Sequence, residues 1–433
     1  MERLLERRPL LPAERQAQPT TVCVTGAAGF IGSRIVARLL AAGHTVHATR
    51  RAAGDDAPTI AALQALPGGA ERLCWFEANL TREGSFDAAV VGCKYVIHTA
   101  GVVDVSAPSS QGYERVIKPT LLGIANVLGA VNRALSVEKV ILTSSMAAVS
   151  ADFAEADKGH VYSERDWNLA FPRKTKDAYF AAKAVAEMQA WSIAGQQDRW
   201  RLVAICPATV YGPLLACSPG MGSTPALKKL MDGSFWPFVA PLGLGTVDID
   251  DVAAAHCLAM VQPEAQGRYV LWERACLLTE VAAMLREEFP DYWVPPLSAP
   301  LWLSVPVLIL SRTLNYRWIK RMWKRKAQVD SSRALKELGL GEFIPLRQTL
   351  KDLFNRLLEL GILKRMPARS SRAKATAGTQ PQQAPAQPTT ASAATVQVGA
   401  LPAGAAGQAV AGAAEATVEA ATPGGGSNGK KAA

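Results

Sequence analysis

Residues 21–207 alternate between short apolar runs and longer stretches with helical periodicity. The runs at 21–25, 45–49, 73–77, 96–101, 139–145 and 202–207 have strand length. Between them, Ile35, Val36, Leu39 and Leu40 recur at the spacing of one helix face over 30–42, and Gly43 stands where that helix needs a C-terminal cap. A second helix is predicted over 117–135. Strands that are apolar on both faces, separated by helices, imply a parallel α/β sheet covered on both sides.

The texture changes after Gly212-Pro213. Pro and Gly are frequent up to Gly245. A short strand and a helix capped by Asp248 or Asp250 follow at 247–260. A strand at 267–272 and helices at 278–289, 333–338 and 346–360 complete the pattern. The predicted organisation is a flexible polar leader (1–19), a dinucleotide-binding domain (20–212), an interleaved C-terminal substrate lobe (213–365) and a disordered tail (366–433) rich in Ala, Pro, Gln, Thr and Gly.

Composition narrows the class. No run of about 18 apolar residues is present to predict a spanning helix, and the charged N-terminus does not read as a secretory signal. The seven cysteines are odd in number, with no C-x-x-C pair. That predicts reduced thiols in a cytoplasmic protein, with neither a disulfide frame nor a metal site. The net charge of +10 is concentrated in one segment, so it does not predict a nucleic-acid partner.

Candidate chemistry begins at 21–34. Gly26, Gly29 and Gly32 follow the first strand and open the first helix. Gly26 can take a turn conformation closed to other residues. Gly29 leaves room for a pyrophosphate, and Gly32 allows close packing of helix on strand. Ala28, Phe30 and Ile31 lie among these glycines, where the helix presents free N–H groups and its positive dipole end. This is a Rossmann-type dinucleotide corner. Where an NAD site wants an acid after the second strand, Arg50 and Arg51 stand instead. Guanidinium suits a 2′-phosphate, so the expected cofactor is NADP(H).

Tyr179 and Lys183 fall one helical turn apart on one face. The ammonium favours the tyrosinate form, which fits Tyr179 for proton exchange, and Lys183 can also reach a nicotinamide ribose. Ser145, at the tip of the fifth strand, can donate to a substrate carbonyl. The order of glycine corner, Thr143-Ser-Ser145 and Tyr179-x-x-x-Lys183 resembles the extended short-chain dehydrogenases/reductases (the NAD(P)-dependent epimerase/dehydratase family). The stretches 21–32, 83–87, 116–120 and 266–270 narrow the resemblance to the dihydroflavonol 4-reductase-like and cinnamoyl-CoA reductase-like group, over residues 20–365.

That resemblance implies NADPH-dependent carbonyl reduction, with Tyr179 protonating the oxygen. It implies that Arg51 binds the 2′-phosphate, that Asn79 and Leu80 lie along the adenine, that Thr99, Ala100 and Gly101 lie on the ribose side, and that Pro207 lies near the nicotinamide. Relatives usually carry Asp at the position of Asn79, and flavonoid-reducing members carry Asn at that of Ser150. The implied substrate is therefore a hydrophobic ketone or aldehyde, and the implied assembly a monomer or homodimer. The alternatives are a 3β-hydroxysteroid or sterol dehydrogenase acting at a membrane surface, a nucleotide-sugar epimerase or dehydratase, and a non-catalytic cofactor-binding protein.

One segment stands apart. A helix from Pro306 would align Leu310, Leu314, Trp318 and Met322, and the cations Arg312, Arg317, Lys320, Arg321, Lys324, Arg325 and Lys326 follow without an acid. The pattern at 306–326 fits a lobe helix with a solvated basic edge or a peripheral membrane contact.

Overall fold

The computed structural model describes residues 6–52, 56–104, 110–151, 153–169, 178–216, 222–304, 319–320 and 322–364. They lie in one compact unit that spans residues 1–376. The tail at 366–433, and all of 306–326 except 319–320 and 322–326, fall outside the described residues.

Seven parallel strands form the central sheet: β1 (Thr21–Thr25), β2 (Thr45–Arg50), β3 (Leu73–Glu77), β4 (Tyr95–His98), β5 (Lys139–Thr143), β6 (Arg201–Pro207) and β7 (Gly267–Leu271). Their spatial order is β3-β2-β1-β4-β5-β6-β7. Alternate residues enter opposite cores. Val22 and Val24 face one and Cys23 the other; Ile97, Ile141 and Val203 join the first, while Val96, Val140 and Leu202 join the second. The first face is covered by α1 (Phe30–Ala41) and a helix at Ile249–Val261; the second by α2 (Lys118–Arg133) and α3 (Ala178–Ala194). Both faces are thus buried, and the fold is a doubly wound Rossmann-type sheet.

The strand order reverses between β1 and β4, which opens a crevice beyond their carboxyl ends. The C-terminal lobe builds on the same end. Thr209–Tyr211, Gly243–Asp248 and Arg274–Leu277 form a three-stranded sheet. Leu227, Leu230, Val281, Leu285, Leu353 and Phe354 make its core. Asp248 caps the Ile249–Val261 helix by accepting from the Asp250 N–H at 2.8 Å, as one of the two expected caps.

The expected flexible leader is corrected by the contacts of residues 6–19. Pro12–Gln16 is a short helix, and Glu14 is buried in a two-pronged pair with Arg38 of α1. Arg38 also donates to the carbonyls of Arg8 and Pro9. Arg7 bridges three carboxylates of the lobe side, Asp248 and Asp352 at 2.6 Å each and Asp250. Arg8 pairs with Asp251 at 3.0 Å. Local polarity resembles a solvated leader because the charged partners of these side chains lie far away in sequence.

Candidate active site

The glycine corner takes the shape its sequence requires. Gly26 has φ +67°, and a Cβ there would lie 2.9 Å from the Ala100 Cα. A Cβ on Gly32 would meet the Gly26 carbonyl oxygen at 2.3 Å. Gly29 is the N-cap of α1, and its N–H donates to Gly26 at 2.9 Å. The following N–H groups of Phe30, Ile31 and Gly32 belong to the first turn, which has no intrahelical acceptors to offer them. Ala28 lies in the turn itself. The cradle therefore fits a pyrophosphate, since side chains are excluded where the backbone must approach it.

Around this corner the second crevice wall is tied to the first. Thr99 Oγ1 donates to the Thr25 carbonyl at 2.6 Å. The Thr25 hydroxyl accepts from Ala100 N–H at 3.2 Å and meets His98 Nδ1 at 2.7 Å. Burial, and then the charge of Lys183, push His98 down to about 3, so the ring stays uncharged. Gly101 closes the wall, and Lys183 Nζ lies 3.8 Å from where its Cβ would stand.

Arg51 is exposed just past the end of β2, on the rim of the same crevice. Arg50 instead lies 3.8 Å from Asp56. Asn79 is exposed after β3, and its Oδ1 accepts from the Thr81 N–H and hydroxyl at 3.0 Å each. Leu80 is held by its carbonyl, which accepts from Asn126 at 2.7 Å, and it packs where a Cβ on Gly123 would collide. Pro207 is buried at the end of β6, in register with Leu271.

Tyr179 and Lys183 occupy the first two turns of α3. Lys183 Nζ donates to the Thr143 carbonyl at 3.4 Å, at the end of β5. Ser145 follows two residues later and is the N-cap of a short helix, Met146–Val149, accepting from Ala147 N–H at 3.1 Å. Lys183, His98, Ala100, Gly101, Leu80 and Thr143 line one pocket. The structure thus brings Lys183 together with the glycine wall and with the strand that carries Ser145. Arg51 and Asn79 lie on the far rim.

Four further side chains brace this arrangement. Asn168 is buried; its side-chain amide donates to the Ala147 carbonyl at 2.8 Å and to Phe180 at 3.4 Å, while its N–H donates to Ala148 at 2.9 Å. It joins the Ser145 turn to the first turn of α3. Glu187, one turn after Lys183, is buried against Arg268 at 2.7 Å and also accepts from Ser144. Arg268 in turn lies 3.9 Å over the Trp167 ring and donates to the Glu164 and Asp166 carbonyls. His256 Nδ1 meets the Val252 carbonyl at 2.7 Å, so its Nε2 accepts from the Thr143 hydroxyl at 2.8 Å. These residues were not singled out from sequence. A His four residues after Val252, or a Glu four after Lys183, reads as ordinary helix until its cross-strand partner is known.

The chain is similar to several known reductases. Residues 22–271 match the family model described as the NAD dependent epimerase/dehydratase family. A dihydroflavonol 4-reductase from Gerbera hybrida is 32% identical over 297 residues, covering 68% of this chain and 79% of the relative. The cinnamoyl-CoA reductase CAD2 of Medicago truncatula is 35% identical over 341 residues, 78% of this chain and 95% of the relative. Among solved structures, the yeast methylglyoxal/isovaleraldehyde reductase Gre2 complexed with NADPH superposes with a TM-score of 0.65 at 25% identity, covering 79% of this chain and 99% of that one. With its glycine cradle, its reversed strand order and more than half its length matched, the chain belongs to the NAD dependent epimerase/dehydratase family.

Proposed function

We propose that this protein is an NADPH-dependent reductase of a hydrophobic ketone or aldehyde. The oxidoreductase class and the use of NADP(H) accord with its family and with its reductase relatives. The substrate class and the residue roles are the proposal.

The observation that carries it is the placement of Lys183. The ammonium sits one turn from Tyr179, against the Thr143 carbonyl and beside Gly101. The bound cofactor supplies a hydride to the substrate carbonyl carbon. Tyr179 gives its hydroxyl proton to the substrate oxygen as the C=O bond becomes C–O–H, and is reprotonated from solvent. Lys183 stabilises the resulting tyrosinate and holds the ribose. Ser145 orients the carbonyl by hydrogen bonding. Gly26, Ala28, Gly29, Phe30, Ile31 and Gly32 hold the pyrophosphate, and Arg51 holds the 2′-phosphate. Asn79 and Leu80 flank the adenine, Thr99, Ala100 and Gly101 the ribose, and Pro207 the nicotinamide.

The test is NADPH consumption against a panel of aryl aldehydes, flavonoid ketones, steroid ketones and short aliphatic aldehydes. Turnover of the hydrophobic members is expected; no turnover of any carbonyl would overturn the proposal.

A further inference from the structure

The three exposed tryptophans among the described residues, Trp236, Trp293 and Trp302, all belong to the C-terminal lobe. Trp236 and Trp293 meet edge to face at 5.0 Å. They lead into a two-stranded parallel ribbon, Phe238–Val239 with Leu297–Ser298, in which exposed Phe238 and Leu297 stand in register. In-register residues of a parallel pair project from the same face. Trp302, 75% exposed, lies five residues beyond Leu297. Its neighbour Leu301 packs against the buried cluster that contains Ala240, Ile319 and Met322, and the Lys324 N–H donates to the Pro241 carbonyl at 2.8 Å, so the chain around Trp302 and the two lysines is anchored beside the ribbon.

The segment that carries Trp293, Leu297, Trp302, Lys320 and Lys324 has charges of one sign. The sequence contains no Asp or Glu between Asp291 and Asp330. Lys320 and Lys324 are exposed and outside every ion pair among the described residues, whereas Arg325 and Lys326 are matched by Asp157 and Glu280. An apolar, tryptophan-rich face flanked by unpaired cations has the composition of a bilayer-interface contact. The indole rings sit at headgroup depth, and the cations meet anionic headgroups. A second copy docking through the same face would bring two basic segments towards each other, which like-charge repulsion opposes. No described helix is long and apolar enough to cross a membrane.

We propose that the face formed by Trp236, Phe238, Trp293, Leu297 and Trp302, with Lys320 and Lys324, docks this protein on an anionic lipid surface. The proposal does not depend on the reductase reading, since its readout needs no turnover. Full-length protein is floated with phosphatidylcholine vesicles and with vesicles that also contain phosphatidylserine. Association with the anionic vesicles is expected, weakened by salt. A cation near such a surface contributes about fivefold in partitioning, so K320E with K324E should lower the bound fraction more than tenfold. W236S with W302S should lower it comparably. NADPH binding retained by both variants shows that they are folded. Absence of flotation for the wild type, or flotation equal in all variants, overturns the proposal. A concentration-dependent dimer that W302S abolishes, without vesicle binding, overturns it in favour of a second copy.

Discussion

Asn168 links the Ala147 carbonyl, two residues after Ser145, to the Phe180 carbonyl, one residue after Tyr179. Its amide spans the two elements that carry the proposed proton donor and carbonyl-binding hydroxyl. Asn168 is therefore a positioning residue. Replacing it with Asp removes the two amide donors and presents a carboxylate to carbonyl oxygens. Asn168→Asp should lower kcat by about ten- to a hundredfold, the range expected for a small misplacement of reacting groups, with little change in NADPH affinity. Asn168→Gln should recover part of that loss. Equal damage to kcat and cofactor affinity would mean that the residue serves only general folding.

Tyr179→Phe keeps the ring and removes the proton. A fall in kcat of about 10²–10⁴ is expected, while NADPH binding, read by fluorescence titration, remains. Wild-type turnover in this variant would refute the assigned mechanism.

Arg51→Ala should discriminate between the cofactors. A charge-assisted hydrogen bond contributes about 1.5–3 kcal/mol, so NADPH affinity should fall roughly ten- to a hundredfold and NADH affinity hardly at all. Equal losses would place the 2′-phosphate elsewhere.

His256 gives a pH dependence. Its folded state is held neutral by burial, down to about 4 against an ordinary 6.5. The unfolded chain therefore takes up a proton below about 6.5 that the native chain refuses until about 4. Stability from this group is complete above pH 6.5 and is lost as pH falls through that window. The slope is at most about 1.4 kcal/mol per pH unit. Chemical unfolding of His256→Gln across pH 4–7 should show a shallower slope than wild type; an unchanged slope would contradict the assignment.

The N-terminal arm predicts a stability effect without a catalytic one. Arg7→Ala leaves Asp248 and Asp250 buried beside each other with a cation removed. Breaking a buried pair in this way costs about 3–5 kcal/mol. A lower Tm with kcat preserved at low temperature is expected, and an unchanged Tm would show that the arm is dispensable.

What the sequence made legible was local. Val22, Cys23 and Val24, followed by glycines at three-residue spacing and an apolar helix, carry their geometry within a dozen positions, and the structure places strand, turn and α1 there. That Tyr179 and Lys183 share one helix was readable because one helical turn connects them. The braces were not. Glu187 needs Arg268, His256 needs Thr143, and Asn168 needs both Ala147 and Phe180. None of these pairs has a periodic signature. Glu14 and Arg38 were hidden for the same reason: each looks solvated until the fold joins positions 24 apart in sequence.

The bond from Arg7 to Asp352 joins positions 345 residues apart. A ribosome adding about 5–20 residues per second needs roughly 20–70 s to make the intervening chain. Throughout that time, the Arg7 side chain waits for one of its acceptors. The Rossmann strands can emerge and pair meanwhile, but this fastening closes only after the helix at Leu346–Glu359 has left the exit tunnel. Translation that stops short of that helix yields a nascent chain whose sheet is present and whose clasp is open, the form most exposed to chaperones and proteases.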